Sequence, residues 1–356
     1  MNKLVFKMEF EKLWRMPVFY LLAVMFIGFN IWFFLDSKSY YIDAMQYDSD
    51  FMREEPEDFK ASYQYDYYAE TEMDEIEDMA KLYRDYGKIA NGLIAENYNK
   101  LKQRAETMSD TEKNSLTYTG LYRLHEFLFV YYLKYIMIEC IIIMILAVIY
   151  LMHFEVFHST EELVMTSKTG EKVFKNKLIA AFLFSMLLSV VIMVASLGVY
   201  FGIMDYSGIW DAYISSNFNT ERRVVNGMYL AVYPYITWIP ATIKQYLSSC
   251  IAVILGILLF GFMAVGALSK RVKNSITVIA VIGIGVAVFY FIGNEIRFTS
   301  MMDFFVKFNP VHLITKCGYW FMDYAPGDTY PIYEILTLGV WLTGAGLILR
   351  KSLGRQ

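Results

Sequence analysis

The chain has 356 residues, of which 56% are hydrophobic and only 19% are charged, and its mean hydropathy is +0.35. This composition is too apolar for an ordinary soluble domain. The net charge of −4 is small, but acidic and basic residues are unevenly distributed along the chain. Composition therefore indicates a membrane protein with several spans.

The first 16 residues, MNKLVFKMEFEKLWRM, place aromatic and aliphatic side chains at helical spacing and basic residues on other faces. This pattern predicts an amphipathic helix that lies in the membrane interface before the chain turns at Pro17. The alternative is a basic flank that only orients the first span. Residues 1–16 and the first predicted span together form the first predicted segment, 1–35.

Six apolar stretches approach the ~20 residues that a helix needs to cross a hydrocarbon core of about 30 Å. They are 17–35, 133–152, 178–203, 245–268, 276–293 and 332–349. Each predicts an α-helix, because backbone polar groups in lipid must be satisfied within the segment. The predicted fold is an all-α polytopic membrane protein with six transmembrane helices.

Lysine and arginine are concentrated in the segment before the first span and in the segments after the second, fourth and sixth spans. Four short segments hold four, four, three and three basic residues: 1–16, 153–177, 269–275 and 350–356. The longer loops 204–244 and 294–331 hold three each. The positive-inside rule then predicts a multi-pass protein of the plasma membrane with both termini in the cytoplasm.

Residues 36–130 form a long segment between the first two predicted spans, with 21 acidic and 11 basic residues. Apolar residues from Ile76 to Met108 recur at steps of three and four, which predicts helices with a break at Asn91-Gly92. A capping box at Ser109-Asp110-Thr111-Glu112 predicts a further helix that continues into the second span. We expect an acidic, helical, extracellular domain here, followed by a membrane domain over 131–356.

The sequence carries no motif for nucleotide hydrolysis or metal-dependent catalysis. It has no GxxxxGK[ST] phosphate loop, no HExxH pattern and no paired-cysteine metal pattern. Three cysteines, two of them in predicted spans, imply no disulfide framework. His153 and His158 lie on different faces of a helix, which favours a structural role over a metal site. We therefore expect no enzyme activity, cofactor or metal in this chain.

Glu139 lies in the second predicted span, five residues after Lys134. An ionisable residue in a membrane span points to function by default, here a substrate path or a proton relay. A carboxylate that snorkels to the outer interface is the favoured alternative. The centres of the other spans carry no charge, which disfavours a proton-driven pump.

A mostly polar stretch, HFEVFHSTEELVMTSKTGEKVFKNKL, separates the second and third predicted spans. Its few apolar residues predict a polar helix over about 155–177 with a small apolar face, which suits docking on a soluble partner. The alternative is a solvated loop whose lysines follow the positive-inside rule.

This stretch resembles the coupling loop of ABC transporter permeases of the type-2 exporter class. In that family an acidic residue ends the second span, a Thr-x-Glu-Leu-like run follows, and a basic residue enters the third span. The matching residues here are Glu155, Thr160, Glu162, Leu163 and Lys177. Ser159 stands where the family usually has glycine, and Lys168-Thr169-Gly170 replaces its usual proline.

A second segment, FNPVHLI at 308–314, is similar to the Asn/Ser-Pro segment before the external helices between spans five and six of that family. The resemblance implies re-entrant-like external helices at about 298–330. It covers most of the chain except residues 36–130.

The resemblance implies a permease subunit that dimerises with a second permease, identical or different, and engages a separate ABC ATP-binding subunit that holds ATP and Mg²⁺. The implied coupling residues are Glu155, Thr160, Glu162, Leu163, Lys168 and Lys177. ATP-driven export of a hydrophobic or amphipathic substrate would follow. The acidic, tyrosine-rich external domain either attracts a cationic antimicrobial peptide or is a solvated face that serves solubility. A lipid or drug is the alternative substrate. A membrane sensor that signals through the cytoplasmic loop is the alternative function.

Overall fold

A computed structural model describes residues 3–54, 88–113, 122–160, 170–204, 206–215, 220–225, 228–234, 236–295, 301–322 and 331–354. Over these ranges the regular secondary structure is helical apart from one two-stranded hairpin and two isolated β-bridges. Five helical stretches are long and apolar enough to cross a membrane: Pro17–Tyr40, Glu126–Phe157, Val173–Ile203, Ile243–Arg271 and Ser275–Glu295. In the length and apolar composition of these five helices, the prediction of a multi-pass membrane protein is confirmed.

The chain begins with α1 (Lys3–Trp14) and α2 (Pro17–Glu54). Proline has no backbone N–H to donate and is well tolerated in the first turn of a helix, so Pro17 separates the two. One face of α1 packs against the third long helix, α7 (Gly170–Ile203), and buries Glu9 and Leu13.

The segment between the first two long helices is helical where it is described. It contains α3 (Lys88–Glu106) and α4 (Asp110–Lys113). α3 runs through Asn91-Gly92 without the predicted break. The Ser109 hydroxyl accepts a hydrogen bond from the Glu112 backbone N–H at 3.1 Å, so this half of the predicted capping box is present.

The second long helical stretch starts well before the apolar run. It consists of α5 (Tyr122–His125), a π-helical segment (Glu126–Tyr132) and α6 (Leu133–Phe157). The helix that contains the second span therefore begins by Tyr122, within the segment that precedes the apolar run. Residues 114–121, through which the predicted helix from Ser109 would run, lie outside the described residues. The π-helical turn was not predicted.

The remaining helices follow in chain order. They are α8 (Ile243–Arg271), α9 (Ser275–Tyr290, continued by a π-helical turn Phe291–Glu295), α10 (Met301–Val306), α11 (Pro310–Thr315) and α12 (Tyr333–Gly354). The sixth predicted span lies in α12, which is not among the five membrane-length apolar helices. Glycine and threonine residues lower the mean hydropathy of α12, and the charged residues Glu334 and Arg350 lie at the two ends of its apolar stretch.

α6 is the centre of the bundle. Residues such as Ile136, Met137, Ile143 and Met144 are fully buried between α7 and α8, and α8 packs in turn against α12. By contrast, α9 buries only Val278. An apolar helix with so little contact to its neighbours has most of its surface available to lipid or to another subunit.

A β-hairpin interrupts the connection between α7 and α8. Strands β1 (Thr220–Val225) and β2 (Met228–Pro234) pair antiparallel, with a bulge between Arg223 and Val224. The hairpin is a local departure from the predicted all-α fold. The strands flank Asn226-Gly227, the dipeptide most typical of tight hairpins, so the sequence does carry a signal for it.

Two short helices, α10 and α11, lie in the predicted external helix region. Asn309 caps α11, because its side-chain oxygen accepts hydrogen bonds from the N–H groups of Val311 at 3.0 Å and His312 at 2.8 Å. Pro310 occupies the first helical turn, where its missing N–H has no helical partner to lose. The Asn-Pro pair is therefore a helix start.

The chain after α11 passes very close to the π-helical turn. Gly318 has φ +98°, and a Cβ atom there would meet the Val130 backbone at 2.8 Å. Both the conformation and the close approach require glycine.

Candidate functional site around Glu155

Glu155 lies in the last turn of α6 and is 7% exposed. Its carboxylate pairs with the ammonium of Lys177, which lies 22 residues later on α7 and is also buried. The two residues that flank the predicted coupling loop are therefore bound to each other. The ends of the second and third long helices are held together at this point.

A second lysine reaches Glu155 from the N-terminal helix. Lys12 Nζ lies 2.9 Å from Glu155 Oε1 and 2.8 Å from Glu9 Oε1. The same ammonium lies 4.5 Å from the centre of the Phe154 ring, which adds a cation–π contact. We call Glu9, Lys12, Glu155 and Lys177 the ion cluster.

The ion cluster is balanced in charge, with two carboxylates and two ammonium groups. Its members are buried except for Lys12, whose side chain is 21% exposed. Buried charges are tolerated when they are paired and hydrogen-bonded, and an incomplete network is far less stable. The cluster therefore joins α1, α6 and α7 into one unit.

The chain leaves α6 through a tight turn directly after Glu155. The Thr160 N–H donates to the Glu155 carbonyl at 2.9 Å and the Ser159 N–H to the Val156 carbonyl at 3.2 Å, the two bonds of a Schellman motif. Ser159 has φ +54°, in the left-handed region that favours glycine. A glycine at this position would fit the same turn.

Neighbouring side chains fasten this end of the bundle to α8. Both ring nitrogens of the buried His153 lie within hydrogen-bonding distance of carbonyl oxygens, those of Ile149 (3.0 Å) and Val272 (2.9 Å). The predicted structural role of His153 is confirmed. Lys270, near the end of α8, lies over the Phe174 ring at 4.7 Å.

Three of the predicted coupling residues are described, and the other three lie outside the described residues. Glu155 and Lys177 belong to the ion cluster, and Thr160 closes the turn after α6. Glu162, Leu163 and Lys168 fall in 161–169. Because α6 ends at Phe157 and α7 begins at Gly170, the connection between these helices is shorter than the predicted helix of about 155–177.

Glu9 and Lys12 were not predicted to belong to this site. The sequence pattern indicates Lys12 only as a basic residue that orients the first span. A weak signal exists, because an acidic and a basic residue three apart share one helix face. Their partner Glu155 is 143 residues from Lys12 in sequence. The spacing of residues within one helix does not indicate that Lys12 would meet Glu155 of another helix.

A second buried polar group surrounds Glu139, in the middle of the bundle. The Asn30 side-chain amide on α2 donates to Glu139 Oε2 at 2.7 Å and lies 3.0 Å from the Ser196 hydroxyl on α7. Glu139 is 5% exposed and Asn30 is fully buried. The prediction of a snorkelling carboxylate is therefore wrong, because three helices enclose the side chain.

No basic side chain forms an ion pair with Glu139 in the described part of the chain, and Lys134 is not brought to it. The oxygen of the Asn30 side-chain amide, Oδ1, is buried without a hydrogen-bond partner. The described residues also contain no group of three potential metal ligands. Glu139 thus has the Asn30 amide as its hydrogen-bond donor and no counter-charge among the described residues.

No known protein family matches the chain, and no curated protein or solved structure is detectably similar to it. The similarity to type-2 exporter permeases therefore depends on the loop residues, the Asn-Pro segment and the order of the spans.

Proposed function

We propose that this chain is the transmembrane permease subunit of an ATP-driven exporter of the type-2 ABC class. Its substrate is a hydrophobic or amphipathic molecule, for which a cationic antimicrobial peptide is the leading candidate. A separate ABC subunit binds ATP and Mg²⁺ and hydrolyses the nucleotide. A second permease subunit completes the translocation path across the plasma membrane.

The ion cluster is the observation that carries this proposal. A coupling loop must transmit movement of a soluble partner to the membrane helices, so its base must be rigid. Glu155 and Lys177 bind each other across the two ends of the loop, and Lys12 extends the connection to α1. A force applied to residues 161–169 therefore acts on three helices together.

In this proposal the ion cluster lies on the cytoplasmic side, with both termini. α12 serves as the sixth span, supported by its extensive packing against α8. The segment between the first two membrane helices, 41–125, and the hairpin β1–β2 then face outward, because α7 separates the hairpin from the ion cluster by the length of a membrane helix.

The coupling role is tested by charge reversal in the loop. The permease is co-expressed with the ABC ATP-binding protein that copurifies with it, and substrate-stimulated ATPase activity is measured in lipid nanodiscs. We expect Glu162→Lys to remove most of the stimulation and reduce copurification. The matched control is Glu221→Lys in β1, at the opposite end of α7, which should leave both unchanged.

Unchanged complex yield and ATPase rate in Glu162→Lys would refute the coupling role. Purification of the intact chain without any ATPase would refute the exporter itself. Stable association with a kinase or regulator would support the sensor alternative.

The nature of the substrate is tested in the acidic segment. Changing Asp74, Glu75, Glu77 and Asp78 to lysine should weaken export of a cationic peptide in inside-out vesicles. The effect should shrink as salt rises, because the Debye length falls from about 10 Å at 0.1 M to about 3 Å at 1 M. A neutral peptide of equal length is the control. Equal loss for both peptides would contradict electrostatic attraction of the substrate.

A further inference from the structure

A cavity of about 580 Å³ lies between α3, α10 and the first turns of α12. Its walls are mostly apolar side chains: Leu93, Phe305, Phe308, Ile332, Leu336 and Val340. Pockets for small ligands typically measure roughly 300–1,000 Å³ and combine an apolar lining with a few polar groups. The cavity has the size and lining of a ligand site.

Five residues of the cavity lining carry polar groups: Glu96, Asn97, Lys100, Tyr333 and Thr337. Glu96 and Lys100 of α3 form an exposed ion pair of 2.8 Å at the cavity wall. The hydrogen bond from Lys100 lowers the pKa of Glu96, so its carboxylate is ionised at neutral pH. Thr337 of α12 is 1% exposed, and its hydroxyl has no hydrogen-bond partner.

A chain of hydrogen bonds beside the cavity connects its two main walls. Arg104 of α3 donates to the Thr237 carbonyl at 3.1 Å, the Trp238 N–H donates to the Phe321 carbonyl at 3.0 Å, and the Phe321 N–H donates to Glu334 of α12 at 2.7 Å. Arg104 is also paired with Glu112. These bonds do not involve the cavity lining, so the space between the walls is preformed.

We propose that this cavity binds one acyl chain of a zwitterionic phospholipid. The apolar walls of α12 are open to the surroundings, with Ile332 58% and Val340 62% exposed, so a chain can enter sideways from the bilayer. Glu96 and Lys100 present one charge of each sign, complementary to the ammonium and phosphate of a zwitterionic head group. The Thr337 hydroxyl is a donor for an ester carbonyl.

This site is independent of the exporter proposal. None of its lining residues belongs to the ion cluster or to the predicted coupling loop, and no ATPase is needed for binding.

Photolabelling of the purified full-length chain tests the site. The probe is a phosphatidylethanolamine with a diazirine near the end of one acyl chain, and labelled peptides are identified by mass spectrometry. We expect the label on α10 and α12 at the cavity. Val340→Trp should fill the cavity and reduce labelling there by about tenfold. Leu347→Trp is the matched control, since Leu347 is also 62% exposed on α12 but lies outside the lining.

Two further variants keep the test valid if the tryptophan variant fails to fold. Thr337→Val removes only the hydroxyl and should weaken labelling by several-fold with an unchanged melting temperature. Glu96→Lys should shift the preference from phosphatidylethanolamine to phosphatidylglycerol, because the rim then carries two positive charges.

Three results would overturn the proposal. The first is label spread evenly over all lipid-exposed helices, and the second is equal labelling in Thr337→Val, Glu96→Lys and the unaltered chain. The third is displacement of the lipid probe by an amphipathic peptide but not by excess unlabelled phosphatidylethanolamine, since that would assign the cavity to a peptide.

Discussion

Glu155 and Glu139 lie on the same helix, four turns and more apart, and are equally inaccessible to solvent. Glu155 faces two ammonium groups from two other helices. Glu139 accepts a hydrogen bond from the Asn30 amide, which also lies 3.0 Å from the Ser196 hydroxyl. One carboxylate is therefore paired with opposite charge, and the other accepts a hydrogen bond from a neutral amide.

The difference reflects what each position requires. At the end of the bundle, an ion pair joins the helices. Removing one partner strongly destabilises the fold, because the other charge stays buried without a partner. In the middle of the bundle, Glu139 has no counter-ion among the described residues, and the amide of Asn30 is its hydrogen-bond donor. The two sites should respond differently to the same substitution by glutamine.

The largest effect is expected for Glu155→Gln. The change leaves the buried Lys177 without its counter-charge and removes one partner of Lys12. Breaking a buried pair in this way typically costs about 3–5 kcal/mol. The measurement is the free energy of unfolding, or the melting temperature, of the purified chain in detergent.

A double variant is the control for that loss. Glu155→Leu combined with Lys177→Leu removes both charges and leaves the Glu9–Lys12 pair intact. It should recover most of the stability that Glu155→Gln loses, since apolar replacements of both partners are often neutral. A double variant as unstable as the single one would show that packing, not charge pairing, holds these helix ends.

Asn30→Ala should have an intermediate effect. It removes the donor to Glu139 and opens a small space in the core, and an unsatisfied buried polar group costs about 1–3 kcal/mol. Thermal unfolding of the same preparation checks this, with Val24→Ala as the control on the lipid-accessible face of α2, where Val24 is 68% exposed. Equal losses for both variants would contradict a specific role of the amide.

Ser159→Gly should stabilise the protein. A non-glycine residue in the left-handed region is disfavoured by roughly 1–2 kcal/mol, partly offset by the extra freedom of glycine when unfolded. We expect a net gain of up to about 1 kcal/mol in the free energy of unfolding. Ser159→Val should reverse the sign, because a β-branched side chain disfavours this conformation further. A loss of stability in the glycine variant would mean that the Ser159 hydroxyl matters more than the backbone.

The smallest effect is expected for Glu139→Gln. Glutamine keeps the shape of a protonated glutamate and can still accept the hydrogen bond from Asn30, so the change should stay within about 1 kcal/mol. Unfolding at pH 6 and pH 8 checks this prediction. A destabilisation as large as that of Glu155→Gln would abolish the contrast between the two carboxylates and show that the charge of Glu139 is required.

Signals carried by neighbouring residues are sufficient to predict part of the fold. The five membrane-length helices follow from unbroken apolar runs, because a helix satisfies its backbone hydrogen bonds within the segment and so can cross lipid. The cap at Ser109 follows in the same way from a residue and its near neighbours. Asn226-Gly227 carries an equally local signal for a hairpin, which the all-α prediction did not use.

Local signals failed where contacts with the rest of the chain decide the outcome. Asn91-Gly92 predicted a helix break, yet α3 continues through both residues. A single glycine costs a helix only about 1 kcal/mol, which neighbouring turns and packing can offset. Glu139 was predicted to reach the interface, yet Asn30 from α2 binds it inside the bundle.

The sequence by itself determined the class of protein, the positions of the membrane helices and the polar loop between the second and third of them. Only the tertiary structure decided that Lys12 and Lys177 meet at Glu155, that Glu139 is enclosed, and that α3 and α12 border a cavity. The physical reason is that hydropathy and helix caps act over a few residues. Ion pairs and cavities instead depend on which helices pack together, and this depends on the whole chain.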